Sequence, residues 1–444
     1  MATSWGFESL SGQIRAFLSD PRKAVAVISN ASLGIAAAFA CGTILAGCGQ
    51  TYAPARSAPQ VVAGMGVVTG QTGYKVIYSF NGYPSGATPT GLTTFHGAQY
   101  GTTINGGAHT FGSVYVRNAA GVKMLYSFKG GADGASPTGT LASFGGKLYG
   151  TTEYGGSAGD GTVFSVDAKG NEHVVYTFKG GSDGAAPAMG ALLNYKGALY
   201  GTTSAGGKPS CRVGSAVGCG IIFYVTPAGD EHVLHRFAGK PDGAAPMGSL
   251  IESDGKFYGT TEFGGDDDNG SVFRLSGTSE HRLYSFKGYP DGANPYAGLV
   301  LSDSTFYGTT AFGGAFDYSG TVYAVSSSGV EHVLHSFRGG SDGAVPVGGV
   351  NAVNGVLYGT TEYGGNNGRG CTGHGISGCG VIFSITTSGD EKTLYRFKGS
   401  PDGARPWVSP IPQGGLLYGT TTSGGRGGEG SLFSIPRSSK QRLP

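Results

Sequence analysis

LYSFKGGADGASPTGTLASFGGKLYGTTEYGGSAGDGTVFSVDAKGNEHVVYTF, residues 125–178, is one unit of a pattern that fills most of the chain. Its Tyr149-Gly-Thr-Thr recurs with the tyrosine at Tyr100, Tyr200, Tyr258, Tyr307, Tyr358 and Tyr418. A Gly-x-[Val/Ile/Leu]-[Phe/Tyr] element follows every time, starting at Gly112, Gly161, Gly220, Gly270, Gly320, Gly380 and Gly430. An aromatic stretch of the Leu-Tyr-Ser-Phe type ends at Phe80, Phe128, Phe178, Phe237, Phe286, Phe337 and Phe397. Three markers each count to seven, and a period near 50 residues is the size of a propeller blade.

Within the quoted unit four short strands are expected: a near 139–144, b over 147–152, c over 162–166 and d over 172–178. Val163 and Ser165, or Val174 and Tyr176, alternate as half-buried strands do, and Gly-Gly, Lys-Gly-Asn and Asp-Gly supply turn chemistry between them. The tyrosine spacings are 49, 51, 58, 49, 51 and 60, and the two long ones contain cysteine pairs in the b-to-c loop. The scaffold is thus fixed and the loops vary. The array opens on a lone strand d, residues 74–80, and closes after a strand c, residues 431–435. Pairing the two completes a ring without exposed edges, so the expected fold is an all-β, seven-bladed propeller over residues 73–436.

Composition agrees. Glycine accounts for 86 of 444 residues with no three-residue period, which excludes collagen and suits many tight turns. Hydrophobic residues reach 39% and charged residues only 13%, which argues against disorder. A net charge of +2 with no dense basic stripe excludes nucleic acid as the expected partner.

Residues 1–48 read as an export signal. Arg22-Lys23 precedes an apolar run that ends in Leu45-Ala46-Gly47-Cys48, which resembles the bacterial lipobox, with Cys48 as the lipid anchor. The run is also long enough for a retained signal anchor. Both readings put the repeats outside the cytoplasm, in the bacterial envelope or periplasm, attached to a membrane. Residues 49–72 are expected to be a flexible tether and residues 437–444 a tail. Cys211 with Cys219 and Cys371 with Cys379 are C-x7-C pairs at matching places in two repeats, which in an oxidising compartment read as disulfides. Zinc is the competing reading, since His374 lies inside the second pair, although the spacing matches no common zinc pattern.

The repeat consensus LYSFKGGxDGAxPxGxLxxxxGxLYGTTxxGGxxxxGTVFxVxxxGxE resembles the GloVer tandem repeat of bacterial "choice-of-anchor" surface proteins. The Gly-Gly after strand b (Gly155-Gly156, Gly264-Gly265, Gly364-Gly365) is also similar to kelch repeats, though the kelch tryptophan is missing. The resemblance implies a surface-exposed repeat domain and transfers no catalytic residue. No sorting tail follows Ile435, so Cys48 is the expected anchor.

Asp-Gly-Ala recurs at Asp133, Asp183, Asp242, Asp291, Asp342 and Asp402, with Ser85 in the first repeat. These aspartates could form a ligand-binding ring, or they could simply shape turns. Asp266, Asp267 and Asp268 make the densest acidic loop, where Ca2+ is conceivable but fits no EF-hand spacing. Glu-His pairs at the start of strand d read as structural or solvated. The d-to-a and b-to-c loops emerge on one face, so that face is the expected binding face. No nucleophile, metal or cofactor signature stands out, and a binding or adhesion module for a polysaccharide or surface protein, acting as a monomer, is the expected function. The alternative is a glycan-active propeller enzyme, hydrolase or lyase, with a pocket on that face.

Overall fold

The computed structural model describes residues 73–316, 319–365 and 371–437. Cys48, the export signal, the tether and residues 438–444 lie outside them. The described chain forms seven antiparallel blade sheets, each ordered a-b-c-d, and two short two-stranded sheets in the loops. Blade 1 runs Ala87–Phe95, Ala98–Asn105, Ser113–Asn118 and Gly121–Ser127. In blade 2 strand a is split into Ala135–Pro137 and Ala142–Phe144, followed by Lys147–Tyr154, Thr162–Val166 and Glu172–Thr177. Strand a edges meet around the axis, where Gly190 N–H donates to Met247 O at 3.1 Å and Ser409 N–H to Gly348 O at 3.1 Å.

Blade 7 is built from both ends of the array. Ile411–Gln413, Leu416–Thr421 and Ser431–Pro436 supply strands a to c. Lys75–Ser79 pairs antiparallel with Ser431–Pro436 as strand d. The closure expected from the sequence is therefore present.

The register explains why the markers travel together. Gly150 of Tyr-Gly-Thr-Thr sits opposite Phe164 of Gly-Thr-Val-Phe. A Cβ at Gly150 would stand 2.7 Å from the Phe164 ring and 2.8 Å from Leu141, so the aromatic in strand c requires glycine in strand b. The second threonine bonds across the same strand pair: Thr152 to Thr162 at 2.8 Å, Thr261 to Ser271 at 2.8 Å, Thr421 to Ser431 at 2.9 Å. Two blades carry Ile221 or Val381 after the glycine, and there Thr203 and Thr361 take the backbone N–H instead, each at 3.2 Å.

The phenylalanine ending strand d serves the next blade. Phe128 meets Phe164 edge-on at 4.9 Å, Phe178 meets Phe223 at 5.0 Å, and Phe80 closes the ring on Tyr115 at 5.1 Å. All of these rings are fully buried. Such edge-to-face pairs add about 0.5–1.5 kcal/mol beyond their buried area, so each blade interface rests on a repeated aromatic pair. Among the described residues no helix is long and apolar enough to cross a membrane.

Candidate functional site

The d-to-a and b-to-c loops do share a face, and backbone bonds tie them blade to blade. Ala186 N–H donates to Asp160 O, Ala245 N–H to Cys219 O and Arg405 N–H to Cys379 O, each at 2.9 Å. The donors sit at one repeat position, where Thr88, Ser136, Ala186, Ala245, Asn294, Val345 and Arg405 all hold φ between 50° and 58°. A left-handed backbone at a non-glycine residue costs energy and persists only when its surroundings over-determine it. Here the inter-blade bond does so.

Both cysteine pairs are disulfides, Cys211–Cys219 with Cα atoms 5.6 Å apart and Cys371–Cys379 with 5.0 Å. Zinc is thereby excluded at the second pair, and His374 instead packs edge-on against Phe312 and Tyr363. Inside that loop Thr372–Gly373 pairs with Ile376–Ser377 as a small hairpin. The disulfides point to an extracytoplasmic location.

The repeated aspartates are turned into the loops. Asp133, Asp183, Asp291 and Asp402 accept the hydroxyls of Tyr126, Tyr176, Tyr284 and Tyr395 at 2.6, 2.7, 2.9 and 3.0 Å. Each also accepts the backbone N–H four residues back, from Lys129, Lys179, Lys287 or Lys398. Asp242 and Asp342 accept Ala238 and Arg338 N–H and face His235 and His335, which replace tyrosine. Their geometry is that of turn-shaping residues. Asp291→Ala strands the Tyr284 hydroxyl and the Lys287 N–H together, and should destabilise the protein by about 2–3 kcal/mol in a denaturant melt. In the acidic loop Asp266 pairs with Arg282 at 2.9 Å, Asp268 accepts Gly264 N–H at 2.8 Å, and Asp267 is exposed.

The Glu-His pairs split by face: the glutamate turns inward to the preceding blade while His173, His232, His281 and His332 are solvated. Glu172, Glu231, Glu280 and Glu331 are each raised to about 7, first by burial and next by Asp133, Asp183, Asp242 and Asp291 respectively.

Sequence reasoning missed a second set of acids. The residue after Tyr-Gly-Thr-Thr varies, and in three blades it is Glu153, Glu262 or Glu362. Burial raises all three, Glu262 to about 7 beside Tyr296. The variable position directly after an invariant motif was the available signal.

Exposed aromatic rings gather on this face. Tyr83 (72% exposed) and Tyr289 (66%) sit in d-to-a loops, Phe111 (43%) and Phe316 (41%) in b-to-c loops, and Tyr154 (39%) at the end of strand b that enters one. These five are all of the strongly exposed aromatics among the described residues. A cleft of about 620 Å³ is lined by Ser319, Arg338, Gly340, His374, Ile376 and Ser377. Arg338 lies over the Phe316 ring at 5.1 Å. Burial, then the Arg405 charge, lower the His374 pKa, which keeps its ring neutral and able to accept a hydrogen bond.

No curated protein matches the chain. Among solved structures it is similar to a gluconolactonase from Xanthomonas campestris, at 15% identity and TM-score 0.41, covering 81% of this chain and 98% of that one. It is also similar to a putative 6-phosphogluconolactonase from Bacteroides uniformis, at 17% identity and TM-score 0.47, covering 72% and 88%. A puromycin hydrolase aligns at 11% identity and TM-score 0.45, covering 76% and 50%. The family model for the Gloeobacter/Verrucomicrobia repeat matches residues 63–211 and 209–373, and with seven such repeats closed into one propeller, the chain belongs to that repeat family.

Proposed function

We propose that this protein is an exported propeller, held to a bacterial membrane through Cys48, that binds a glycan on its disulfide-loop face. The observation that carries the reading is that the five strongly exposed aromatic rings all lie at the d-to-a and b-to-c end of their blades. Exposed rings cost solvation energy, and a soluble surface rarely concentrates them on one face without a partner. An aromatic face offers a flat apolar platform for the C–H side of a sugar ring, while Arg338, His374 and the serines of the adjoining cleft offer groups for its hydroxyls. The Cys371–Cys379 disulfide closes the loop that carries His374, Ile376 and Ser377, which holds that side of the cleft in place before binding and lowers the ordering cost.

The test is a carbohydrate array probed with the full chain, oxidised and in detergent, beside Tyr289→Ala and Phe316→Ala. The expected result is a defined glycan signal that falls by about 10-fold or more in each variant with Tm unchanged. An array without any signal, or variants that bind like the parent, would remove the glycan reading and turn attention to a surface-protein ligand.

A second reading, a glycan-active enzyme, is favoured by Glu262, a buried carboxyl raised to about 7 and therefore able to hold a proton near neutral pH. It requires new reducing ends to appear when a bound glycan is incubated with the protein, and their loss in Glu262→Gln.

A further inference from the structure

We propose that His235, Asp242 and Glu280 form a divalent transition-metal site that clamps blade 3 to blade 4. His235 lies on strand d of blade 3 (Glu231–Arg236), and Asp242 in the loop that follows it. Glu280 lies on strand d of blade 4 (Ser279–Ser285). One ligand atom from each falls within 4.8 Å of the other two.

Two observations separate this trio from an ordinary ion pair. His235 Nε2 stands 3.4 Å from Asp242 Oδ2, too long for a good N–H···O bond. It is close to the separation of about 3.3 Å between neighbouring ligands on a tetrahedral ion with bonds of about 2.0–2.1 Å. Moreover, His235 Nε2 and Asp242 Oδ1 are buried and have no hydrogen-bond partner. Buried polar atoms left unpaired at two adjoining side chains are costly, and one shared cation would satisfy both.

The repeat supplies its own comparison. At the equivalent interfaces a tyrosine hydroxyl closes on the aspartate at 2.6 to 3.0 Å, so the strand d residue itself is paired, although Asp291 Oδ1 stays without a partner there. Histidine replaces tyrosine at His235 and His335. At His335 the Asp342 distance is again 3.4 Å and Nε2 is again without a partner, but Glu391 accepts from the Thr393 hydroxyl at 3.3 Å and does not complete a trio, so the third ligand is what sets His235 apart. Residue 282 is an arginine that pairs with Asp266, which leaves Glu280 turned toward Asp242. The Ala238 N–H donated to Asp242 Oδ2 at 2.8 Å fixes that carboxylate from behind.

One imidazole with two carboxylates suits zinc or a similar ion better than calcium, which prefers six to eight oxygens. Side-chain exposures of 19% for His235 and 18% for Asp242 leave an entry path and room for a water as the fourth ligand. The clamp would take over, at one interface, the joining role that the tyrosine hydroxyl has at the others.

The experiment is a Zn2+ titration of the full chain in detergent, without a polyhistidine tag and after stripping with chelator. Calorimetry gives the stoichiometry, and Co2+ absorption the coordination. The expected result is one tightly bound ion, tetrahedral Co2+ bands, and a Tm that rises on loading. His235→Tyr restores the residue used at Tyr78, Tyr126, Tyr176, Tyr284 and Tyr395, so it should fold normally while binding Zn2+ about 100-fold more weakly. Glu280→Gln should also weaken binding, and His335→Tyr should leave it unchanged. Absence of specific Zn2+ uptake by the parent, or equal uptake by His235→Tyr, overturns the proposal. Loss of binding in His335→Tyr alone overturns the assignment to His235.

Discussion

Removal of residues 74–80 is expected to abolish the cooperative melting transition of the propeller. The segment is strand d of blade 7, and without it Ser431–Pro436 becomes an open edge with a row of unpaired backbone groups. Two buried rings go with it. Tyr74 stacks on Tyr395 at 3.8 Å with planes 6° apart, and Phe80 packs edge-on to Tyr115 of blade 1. Truncating one large buried aromatic typically costs about 3–5 kcal/mol, and total domain stability is only about 5–15 kcal/mol. The deletion removes both rings and a strand ladder together. Calorimetry of the deleted chain should show no sharp transition, and Phe80→Ala alone should lower Tm by several degrees. An unchanged Tm in the deletion would mean that the ring does not need its last strand.

Melting in chelator-containing buffer is expected to occur at higher temperature at pH 5 than at pH 8. Glu172, Glu231, Glu280 and Glu331 are each raised from 4.5 to about 7 in the folded protein, first by burial and then by a neighbouring aspartate. A raised carboxyl favours folding while it is protonated. The sign therefore follows directly: the contribution is complete below about pH 4.5 and is lost as pH rises through about 7. Solvent reaches part of each group, so each contributes on the order of 1 kcal/mol, not the full equivalent of its shift. Asp167 opposes this with a pKa lowered first by the Asn171 hydrogen bond, and Asp342 is lowered too, against the effect of its burial, by the facing His335 and by backbone N–H groups. Their contribution is lost only on acidification below the ordinary carboxylate range. Replacing the four glutamates by glutamine should flatten the slope between pH 5 and 8. A parent protein with equal Tm at both pH values would show that the belt is hydrated and without consequence.

The repeat count, the blade boundaries and the closure of the ring were legible in the chain itself. Their cause is short-range: Tyr-Gly-Thr-Thr and Gly-Thr-Val-Phe are neighbours across one strand pair, so each blade constrains its own sequence. The loop disulfides were legible for the same reason, because the partners of each pair are only eight positions apart. Tertiary structure decided what the acids do. Glu280 and Asp242 are 38 positions apart, in different blades, and only the stacking of one sheet on the next makes them neighbours of His235. Asp-Gly-Ala looks in sequence like a ring of ligands, and its tyrosine partner seven residues upstream belongs to a strand motif of its own. Glu262 is one residue beyond a repeated motif and acquires its raised pKa from burial. Of the five exposed rings only Tyr83 and Tyr289 share a repeat position, three residues after the Phe that ends strand d, and all five share a face because d-to-a and b-to-c turns leave an antiparallel blade on the same side. Local pattern fixes a blade, whereas desolvation and contacts between blades arise only when seven of them close around an axis.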